Sequence, residues 1–130
     1  MKYGVLKLIL ISSIVLVGCD DSNVDSDDVA CATVLSPAIT VEVKDKSTGN
    51  FIGCGAKIII EDAGFSEEAV STVSGTCDNS ALFQGAYERS GVYDIHVYQE
   101  GYLDWSKYSV EVSSSVCGVD TVHVIAELEK

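Results

Sequence analysis

Hydrophobic and polar residues alternate along much of this chain, which is the pattern of β-strands with one buried face. The first such stretch begins at Ala38, where Ile39, Val41 and Val43 alternate with polar residues. The clearest stretch lies within residues 91–102, with a glycine near each end to permit a turn with positive φ. Each stretch is short enough for a single strand.

The same alternation predicts further strands along the chain. The predicted strands are residues 38–44, 56–61, 81–87, 92–98, 108–112 and 122–128, with a loop and a weak strand over residues 65–73. In the last strand, we expect the residues from Val122 to Leu128 at even positions to face the core. With one proline and no long stretch of helical periodicity, the fold class is predicted as all-β, a single Greek-key sandwich of about seven strands.

The first eighteen residues have a different pattern, that of a signal helix. Lys2 and Lys7 lie in a basic segment, residues 8–17 are nearly all aliphatic, and the small Gly18 directly precedes Cys19. The aliphatic segment has about half of the ~20 residues that a membrane-spanning helix requires. We therefore predict a cleaved signal peptide over residues 1–18. An ordinary secretory signal is the alternative, and it would leave Cys19 as an unpaired thiol.

The cleavage site itself, Leu16-Val17-Gly18-Cys19, resembles the lipobox of bacterial lipoproteins. The resemblance implies that Cys19 becomes the first residue, is linked to diacylglycerol and is acylated on its amine, for example with palmitate. Two or three acyl chains anchor a protein firmly, whereas one binds only marginally. The expected partner is therefore a membrane, with the module facing the periplasm or the exterior. Asp20 resembles an inner-membrane retention signal, which favours that membrane.

Residues 19–30 read as a lipidated N-terminus followed by an acidic linker. Residues 20–29 include five aspartates, which predicts a solvated, disordered tether that cannot bury a core. Residues 21–25 are similar to the start of a calcium-binding loop. However, Ser26 stands where that loop needs glycine, and Ala32 where it needs a bidentate glutamate. A linker is therefore preferred over a calcium site.

Length and charge limit the partners of the remaining module. Removing the leader from the 130-residue chain leaves 112 residues, enough for one small domain over residues 31–130. The formal charge is −12, and it becomes −14 when Lys2 and Lys7 leave with the leader. A field of this sign repels polyanions, so nucleic acid is not expected as a partner. It also disfavours direct docking on anionic lipid.

The chain has five cysteines, an odd number that becomes even once Cys19 is assigned to lipid. Cys31, Cys54, Cys77 and Cys117 would then lie in an oxidising compartment, where two disulfides are predicted. A structural zinc site is a poor alternative, because the four cysteines include no close Cys-x-x-Cys pair. Neither a metal nor a cofactor is predicted.

Several short motifs of the module are fairly specific when their order and spacing are taken together. They are residues 39–45 followed by Thr48-Gly49, then Gly55-Ala56, then Gly91-Val92-Tyr93, then Gly101-Tyr102. Together they resemble the carboxypeptidase regulatory-like domain, a prealbumin-like (transthyretin-like) sandwich, over roughly residues 31–129. Thr-Gly suits a hairpin turn, and the tyrosine of Gly-x-Tyr suits the core.

The resemblance also implies a disulfide pairing. Some bacterial lipoproteins with such domains have one cysteine before the first strand and another just before the last, as Cys31 and Cys117 are placed here. In sandwiches of this kind the first and last strands can run side by side in parallel. The resemblance therefore implies a Cys31–Cys117 disulfide, which leaves Cys54 with Cys77.

The sequence offers few candidates for catalysis, and no catalytic residue is predicted. His96 and His123 lie at outward-facing positions of their strands, and no Gly-x-Ser-x-Gly elbow occurs. The prealbumin-like group contains a hydrolase of purine breakdown that ends in Tyr-Arg-Gly-Ser, but this chain ends in Glu-Leu-Glu-Lys. The resemblance concerns an accessory domain, so it implies no carboxypeptidase activity. We do not expect an enzyme.

Four aromatic residues near the Gly101-Tyr102 loop are the candidate binding patch: Tyr98, Tyr102, Trp105 and Tyr108. Exposed aromatic rings can stack on sugars or peptides, but packing over the end of the sandwich is the alternative. The expected function is a lipid-anchored envelope module that binds or has a structural role. Its alternatives are a carbohydrate- or peptide-binding accessory subunit of an envelope enzyme or complex, or a small hydrolase.

Overall fold

The structure is a computed structural model that describes residues 30–130. It confirms the predicted all-β class, with two four-stranded sheets and one two-stranded ribbon. The strands are β1 (Ile39–Asp45), β2 (Lys57–Asp62), β3 (Phe65–Glu68), β4 (Val70–Ser71), β5 (Phe83–Gly85), β6 (Gly91–Tyr98), β7 (Trp105–Val112), β8 (Ser114–Ser115), β9 (Gly118–Val119) and β10 (Val122–Leu128). Three of these ten, β4, β8 and β9, have only two residues, so seven longer strands form the body of the fold.

The first sheet, sheet A, has the order β10-β1-β5-β4. Strand β10 forms one edge of this sheet and runs parallel to its neighbour β1, with Ile39 opposite Val122 and Asp45 opposite Leu128. This is the arrangement that the resemblance implied. Strand β5 then pairs antiparallel with β1. The first and last strands of the described residues are thus held in the same sheet.

The second sheet, sheet B, has the order β3-β2-β6-β7, and all of its pairs are antiparallel. Its edge strand β7 contains a bulge, where the register shifts between Tyr93 and Ile95 of β6. Ser109 adopts a positive φ of 57° there, and its N–H donates a hydrogen bond of 3.0 Å to Asp94 Oδ1. Such a bulge bends and twists a strand locally.

The core lies between the sheets and is built from the alternating inward residues. Its largest fully buried side chains are Tyr93, Ile39, Ile58, Ile60, Ile95 and Leu128. In β10 the even positions face inward as predicted: Val124, Ala126 and Leu128 are buried, and Val122 is half-buried. The buried hydroxyl of Tyr93 donates a hydrogen bond of 2.8 Å to the carbonyl of Arg89. Burial of each large apolar side chain contributes about 1.5–3 kcal/mol.

Two stretches differ from the sequence-based prediction. Residues Phe65–Glu68, predicted to be a loop, form strand β3 because they pair with β2, and Phe65 packs edge-on against Tyr93 at 6.2 Å between ring centroids. The strand predicted for residues 81–87 is confined to Phe83–Gly85. It ends there because Ala86 and Glu88 take positive φ values of 53° and 55°, so the chain leaves the extended conformation of a strand.

The sandwich has two ends that differ in what they carry. The N-terminal end is the end at which β1 and β10 both begin, and the segment before Ile39 enters there. The distal end is the opposite one, formed by residues 46–56, residues 99–104 and the last two residues of the chain. Because β1 and β10 are parallel, the chain enters at one end and finishes at the other.

Candidate functional site

The two predicted disulfides are present. Cys31 is bonded to Cys117 with their Cα atoms 5.1 Å apart, and Cys54 to Cys77 with theirs 4.9 Å apart. The pairing is the one that the resemblance implied. The first disulfide lies at the N-terminal end, because it joins the segments that precede β1 and β10. The second lies toward the distal end, where it joins the segments that precede β2 and β5.

The four aromatic residues of the predicted binding patch do not form one surface. Tyr102 and Trp105 are half-buried and pack against the core at the distal end. Tyr98 and Tyr108 are exposed at outward positions of β6 and β7, and the ring of Tyr108 lies 5.8 Å from that of His96. Tyr102 and Trp105 thus follow the packing alternative, while Tyr98 and Tyr108 are available to solvent.

Asp45 organises the distal end. It ends β1, is only 4% exposed, and its Oδ1 accepts hydrogen bonds from the N–H and hydroxyl of Ser47 at 2.8 and 2.6 Å and from the N–H of Thr48 at 3.0 Å. Its Oδ2 accepts a hydrogen bond of 2.8 Å from the hydroxyl of Tyr102. The following turn needs Gly49, whose φ is +72° and whose N–H donates to the carbonyl of Asp45.

These hydrogen bonds set the electrostatics of the distal end. The Ser47 hydroxyl, followed by that of Tyr102, holds the pKa of Asp45 well below its usual range. The hydrogen bond between Tyr102 and Asp45 also raises the pKa of Tyr102. A carboxylate that binds protons so weakly is a poor general base near neutral pH. The arrangement therefore stabilises the turn and the Gly101-Tyr102 loop rather than preparing an acid–base catalyst.

Beside Asp45 lies an open groove of about 350 Å³, formed with Lys46, Ser47, Leu128, Glu129 and Lys130. Lys46 and Glu129 are hydrogen-bonded to each other across it, which raises the pKa of Lys46 and lowers that of Glu129. Lys130 Nζ lies 3.9 Å from Asp45 Oδ2. With charges of both signs on its walls, the groove suits a polar ligand.

A smaller groove of about 220 Å³ adjoins this one and shares Lys46 and Glu129 with it. Its remaining walls are Leu103, Asp104, Trp105 and Glu127. Leu103 is 61% exposed, so this second groove adds apolar surface to the charged surface of the first. The distal end thus combines two adjoining concave surfaces that share Lys46 and Glu129.

A second polar cluster lies on the outer face of sheet B, and sequence reasoning missed it. His96 Nδ1 lies 2.7 Å from Ser106 Oγ, and His96 Nε2 lies 3.1 Å from Glu61 Oε1. His96 lies on β6, Ser106 on β7 and Glu61 on β2. The register, which places His96 opposite Ser106, brings the three together. The sequence alone does not show that β6 lies between β2 and β7, and with that strand order the cluster could have been predicted.

The row of side chains Ser106, His96 and Glu61 contains a possible nucleophile and a possible base, but acyl transfer also requires a site that stabilises an oxyanion. An oxyanion must be met by aligned N–H donors. Backbone N–H groups of a strand lie in the plane of the sheet, so those of β6 and β7 do not point toward the outward side chain of Ser106. The cluster is therefore best described as a hydrogen-bonded surface network.

His123, the other histidine, lies on the opposite side of the sandwich. It is on the outer face of sheet A, where its Nδ1 is 2.9 Å from Thr40 Oγ1 and its Nε2 is 3.7 Å from Glu42. His96 and His123 therefore do not meet and cannot share a metal ion. Within residues 30–130, no group of three or more histidine, cysteine, aspartate or glutamate side chains is placed to hold one.

Several predicted features lie outside the described residues: the signal peptide over residues 1–18, the lipidated Cys19, Asp20 and most of the acidic linker. Within the described part of the chain, the structure contains no helix of the length and hydrophobicity needed to cross a bilayer. In comparisons with known proteins, no family model matches the chain, and no curated protein matches it by sequence.

Proposed function

We propose that this protein is a bacterial lipoprotein, in which Cys19 carries the lipid and residues 31–130 form a non-catalytic binding or structural module in the cell envelope. The observation that carries the proposal is the use of the cysteines. Two disulfides take up four of the five, and the fifth, Cys19, directly follows the lipobox-like Leu16-Val17-Gly18. Disulfides of this kind are typical of an oxidising compartment.

The charge distribution supports display away from the lipid surface. Cys19 and Cys31 are twelve residues apart, a distance of about 40 Å when fully extended and about 20 Å as a flexible coil. The N-terminal end of the sandwich presents Asp62, Glu88 and Asp120, with Arg89 beside Asp62 at 3.8 Å. Together with the acidic linker, this end is repelled by an anionic membrane. The lipid then holds the module while the charge keeps it off the surface.

We also propose that the sandwich is a carboxypeptidase regulatory-like domain. Three observations support this assignment. Strands β1 and β10 run in parallel, and the ring of Tyr93 fills the core. The two motifs that end in Asp45 and begin at Gly101 meet in the hydrogen bond from Tyr102 to Asp45. The short motifs that carry the resemblance thus have structural roles that fit one fold.

A second candidate is a carbohydrate- or peptide-binding accessory subunit, and the two adjoining grooves of the distal end favour it. They combine an ion pair, Lys46 with Glu129, with the apolar surface of Leu103 and the half-buried Trp105. In a protein anchored at Cys19, whose linker enters the sandwich at the N-terminal end, the distal end faces away from the membrane. A ligand of mixed charge and apolar character, such as a peptide, fits these walls better than a neutral sugar does.

The proposed lipidation is tested by labelling the full chain with radioactive palmitate in a bacterial host. We expect label in the wild-type protein, none in Cys19→Ser, and retained label in the double variant Cys31→Ser with Cys117→Ser. Processing should also fail in Cys19→Ser, which leaves a longer precursor. Label on Cys19→Ser, or an unlabelled wild-type chain, would refute the proposal.

A further inference from the structure

The four sheet edges of the sandwich differ in how well they could pair with another strand. Strand β4 has two residues and β3 has four, two of them glutamates. Strand β7 has eight residues, but it is bulged at Ser109 and places Lys107 opposite the buried Ile95. Bulges and inward-pointing charges are features that discourage pairing between sheet edges. Strand β10 has seven residues with no bulge, proline or lysine.

The backbone of β10 leaves alternate residues pointing out of the sheet. The N–H of Val122 donates to the carbonyl of Ala38 at 2.8 Å, and the carbonyl of Leu128 accepts from the N–H of Lys46 at 2.9 Å. In a parallel ladder this assigns the even-numbered residues of β10 to bonds with β1. The N–H and C=O groups of the odd-numbered residues, 123, 125 and 127, therefore face the open edge.

No other segment of the described chain pairs with these outward groups, although β7 of sheet B lies close to β10. Strand β10 forms a ladder only with β1, and none of the other backbone hydrogen bonds within residues 30–130 involves residues 123, 125 or 127. The open stretch ends at Glu129, whose carbonyl accepts a hydrogen bond of 2.7 Å from the N–H of Leu103. The backbone groups of this edge thus lack strand partners over the length of a short strand, and the free stretch ends at Glu129.

We propose that β10 of one protomer pairs antiparallel with β10 of a second copy, about a two-fold axis that passes through Ile125. In this register, His123 of one protomer lies opposite Glu127 of its partner, and this pair occurs twice. Ile125, which is 45% exposed in the single chain, lies opposite its own copy. The outward backbone groups then form six hydrogen bonds, and sheet A continues from one protomer into the next.

The complementarity of the outward side chains selects this register and favours a second copy as the occupant. A two-fold axis at His123 or at Glu127 would place identical polar side chains opposite each other at the axis. An axis at Val124 or at Ala126 would place Ile125 opposite a histidine or a glutamate. Only the axis at Ile125 combines an apolar centre with an imidazole facing a carboxylate on each side, and cross-strand pairs of these kinds stabilise antiparallel sheets.

The expected association is weak. A stable protein–protein interface buries about 800 Å² on each partner, and one strand edge offers less than that. Pairing is therefore expected where copies are held close together, and it is best detected by crosslinking. The residues that set the register all belong to the sandwich, so the register does not depend on Cys19.

The test is crosslinking of the full chain carrying Ile125→Cys with a short bismaleimide in intact bacterial cells. Residues opposite each other in a hydrogen-bonded antiparallel pair have Cα atoms about 5.5 Å apart, which is within the reach of the reagent. The matched control is Val70→Cys, which is 67% exposed on β4, the opposite edge of the same sheet. The wild-type chain measures any reaction at Cys19, so a failure of lipidation is seen separately.

We expect a yield of crosslinked dimer that is at least several-fold higher for Ile125→Cys than for Val70→Cys. Equal yields would overturn the proposal. Adding His123→Glu should lower the yield several-fold, because each glutamate then faces Glu127 of the partner, and adding Glu127→Lys to that variant should restore it. A yield unaffected by His123→Glu, or not restored by Glu127→Lys while peptide mapping shows both disulfides intact, would overturn the register.

Discussion

Cys31 and Cys117 are joined by a disulfide that links positions 86 residues apart, with Cα atoms 5.1 Å apart. The bond lies where the segment before β1 enters the sandwich, and it connects that segment to the start of β10. Strands β1 and β10 are adjacent and parallel, so the disulfide joins the two segments at the end where both strands begin.

Removing this disulfide should destabilise the module more than removing the other one. In the chain-entropy model, the long loop closed by Cys31 and Cys117 contributes about 4.5 kcal/mol and the shorter loop closed by Cys54 and Cys77 about 3 kcal/mol. We therefore expect the free energy of unfolding in urea to decrease more in the double variant Cys31→Ser with Cys117→Ser than in the double variant Cys54→Ser with Cys77→Ser. The opposite order would show that the loops are not the main source of stabilisation.

The contact between Asp45 and Tyr102 predicts how stability depends on pH. Since hydrogen bonds lower the pKa of Asp45 in the folded state, its contribution to stability is complete above the ordinary carboxyl pKa of about 4. It is lost as the pH falls below that value toward the depressed folded-state pKa. The stability difference between wild-type protein and Asp45→Asn should therefore be largest at neutral pH and shrink in acid. Urea unfolding at a series of pH values measures this difference.

Two further variants sharpen the pH experiment. Tyr102→Phe removes one donor to Asp45 and should give a smaller loss in the same direction. Glu100→Gln changes an exposed carboxyl in the β6–β7 loop and is the matched control. If Asp45→Asn and Glu100→Gln showed the same pH dependence, the hydrogen bonds to Asp45 would not be the source of the acid sensitivity.

Gly85, on β5 of sheet A, lies close to strands β2 and β3 of sheet B. A Cβ at this position would lie 2.6 Å from Glu67 Oε1 and 2.7 Å from Ile60 Cδ1. Glu67 cannot move freely, because its carboxylate accepts a hydrogen bond from the N–H of Ala86. We expect Gly85→Ala to destabilise the protein by about 1–3 kcal/mol, the usual cost of overpacking.

Gly64→Ala is the control for that substitution. A Cβ at Gly64 meets no atom within 4 Å, and neither glycine has a positive φ. Thermal unfolding of the two variants should therefore show a clear decrease in Tm for Gly85→Ala only. A similar decrease for both would show that close packing around Gly85 is not the cause of the destabilisation.

The hydroxyl of Tyr93 is the polar atom of the largest fully buried side chain. Its hydrogen bond to the carbonyl of Arg89 holds the turn between β5 and β6 against the core. Tyr93→Phe should cost about 1 kcal/mol in unfolding free energy, typical of one such bond. Tyr98→Phe, on the same strand but exposed, should be near neutral. A neutral Tyr93→Phe would show that the bond does not stabilise this turn.

The alternation of side chains was sufficient to predict the class of the fold and the inward face of β10. It failed at Phe65–Glu68, whose sequence favours a loop, because pairing with β2 and the contact of Phe65 with Tyr93 override local preference. It also overextended β5 past Gly85, since the left-handed conformation of Ala86 has no signature in an alanine. Local pattern identifies strands, whereas tertiary contacts determine where they end.

The candidate site was less accessible from sequence than the fold. Proximity in sequence suggested one aromatic patch, but the alternation of β6 and β7 sends Tyr98 and Tyr108 to the outer face while Trp105 turns toward the core. The grooves of the distal end join Lys46 to Glu129, which only the parallel pairing of β1 with β10 brings together. Such neighbours become predictable once strand order and register are known.

The central claim is that Cys19 carries the lipid anchor, and mass spectrometry of the N-terminal peptide of the protein purified from bacterial membranes tests it most directly. We predict a peptide that begins at Cys19 and carries a diacylglycerol thioether on Sγ, with or without an acyl group on its amine. A peptide that begins at Met1, or one with an unmodified Cys19, would contradict the claim.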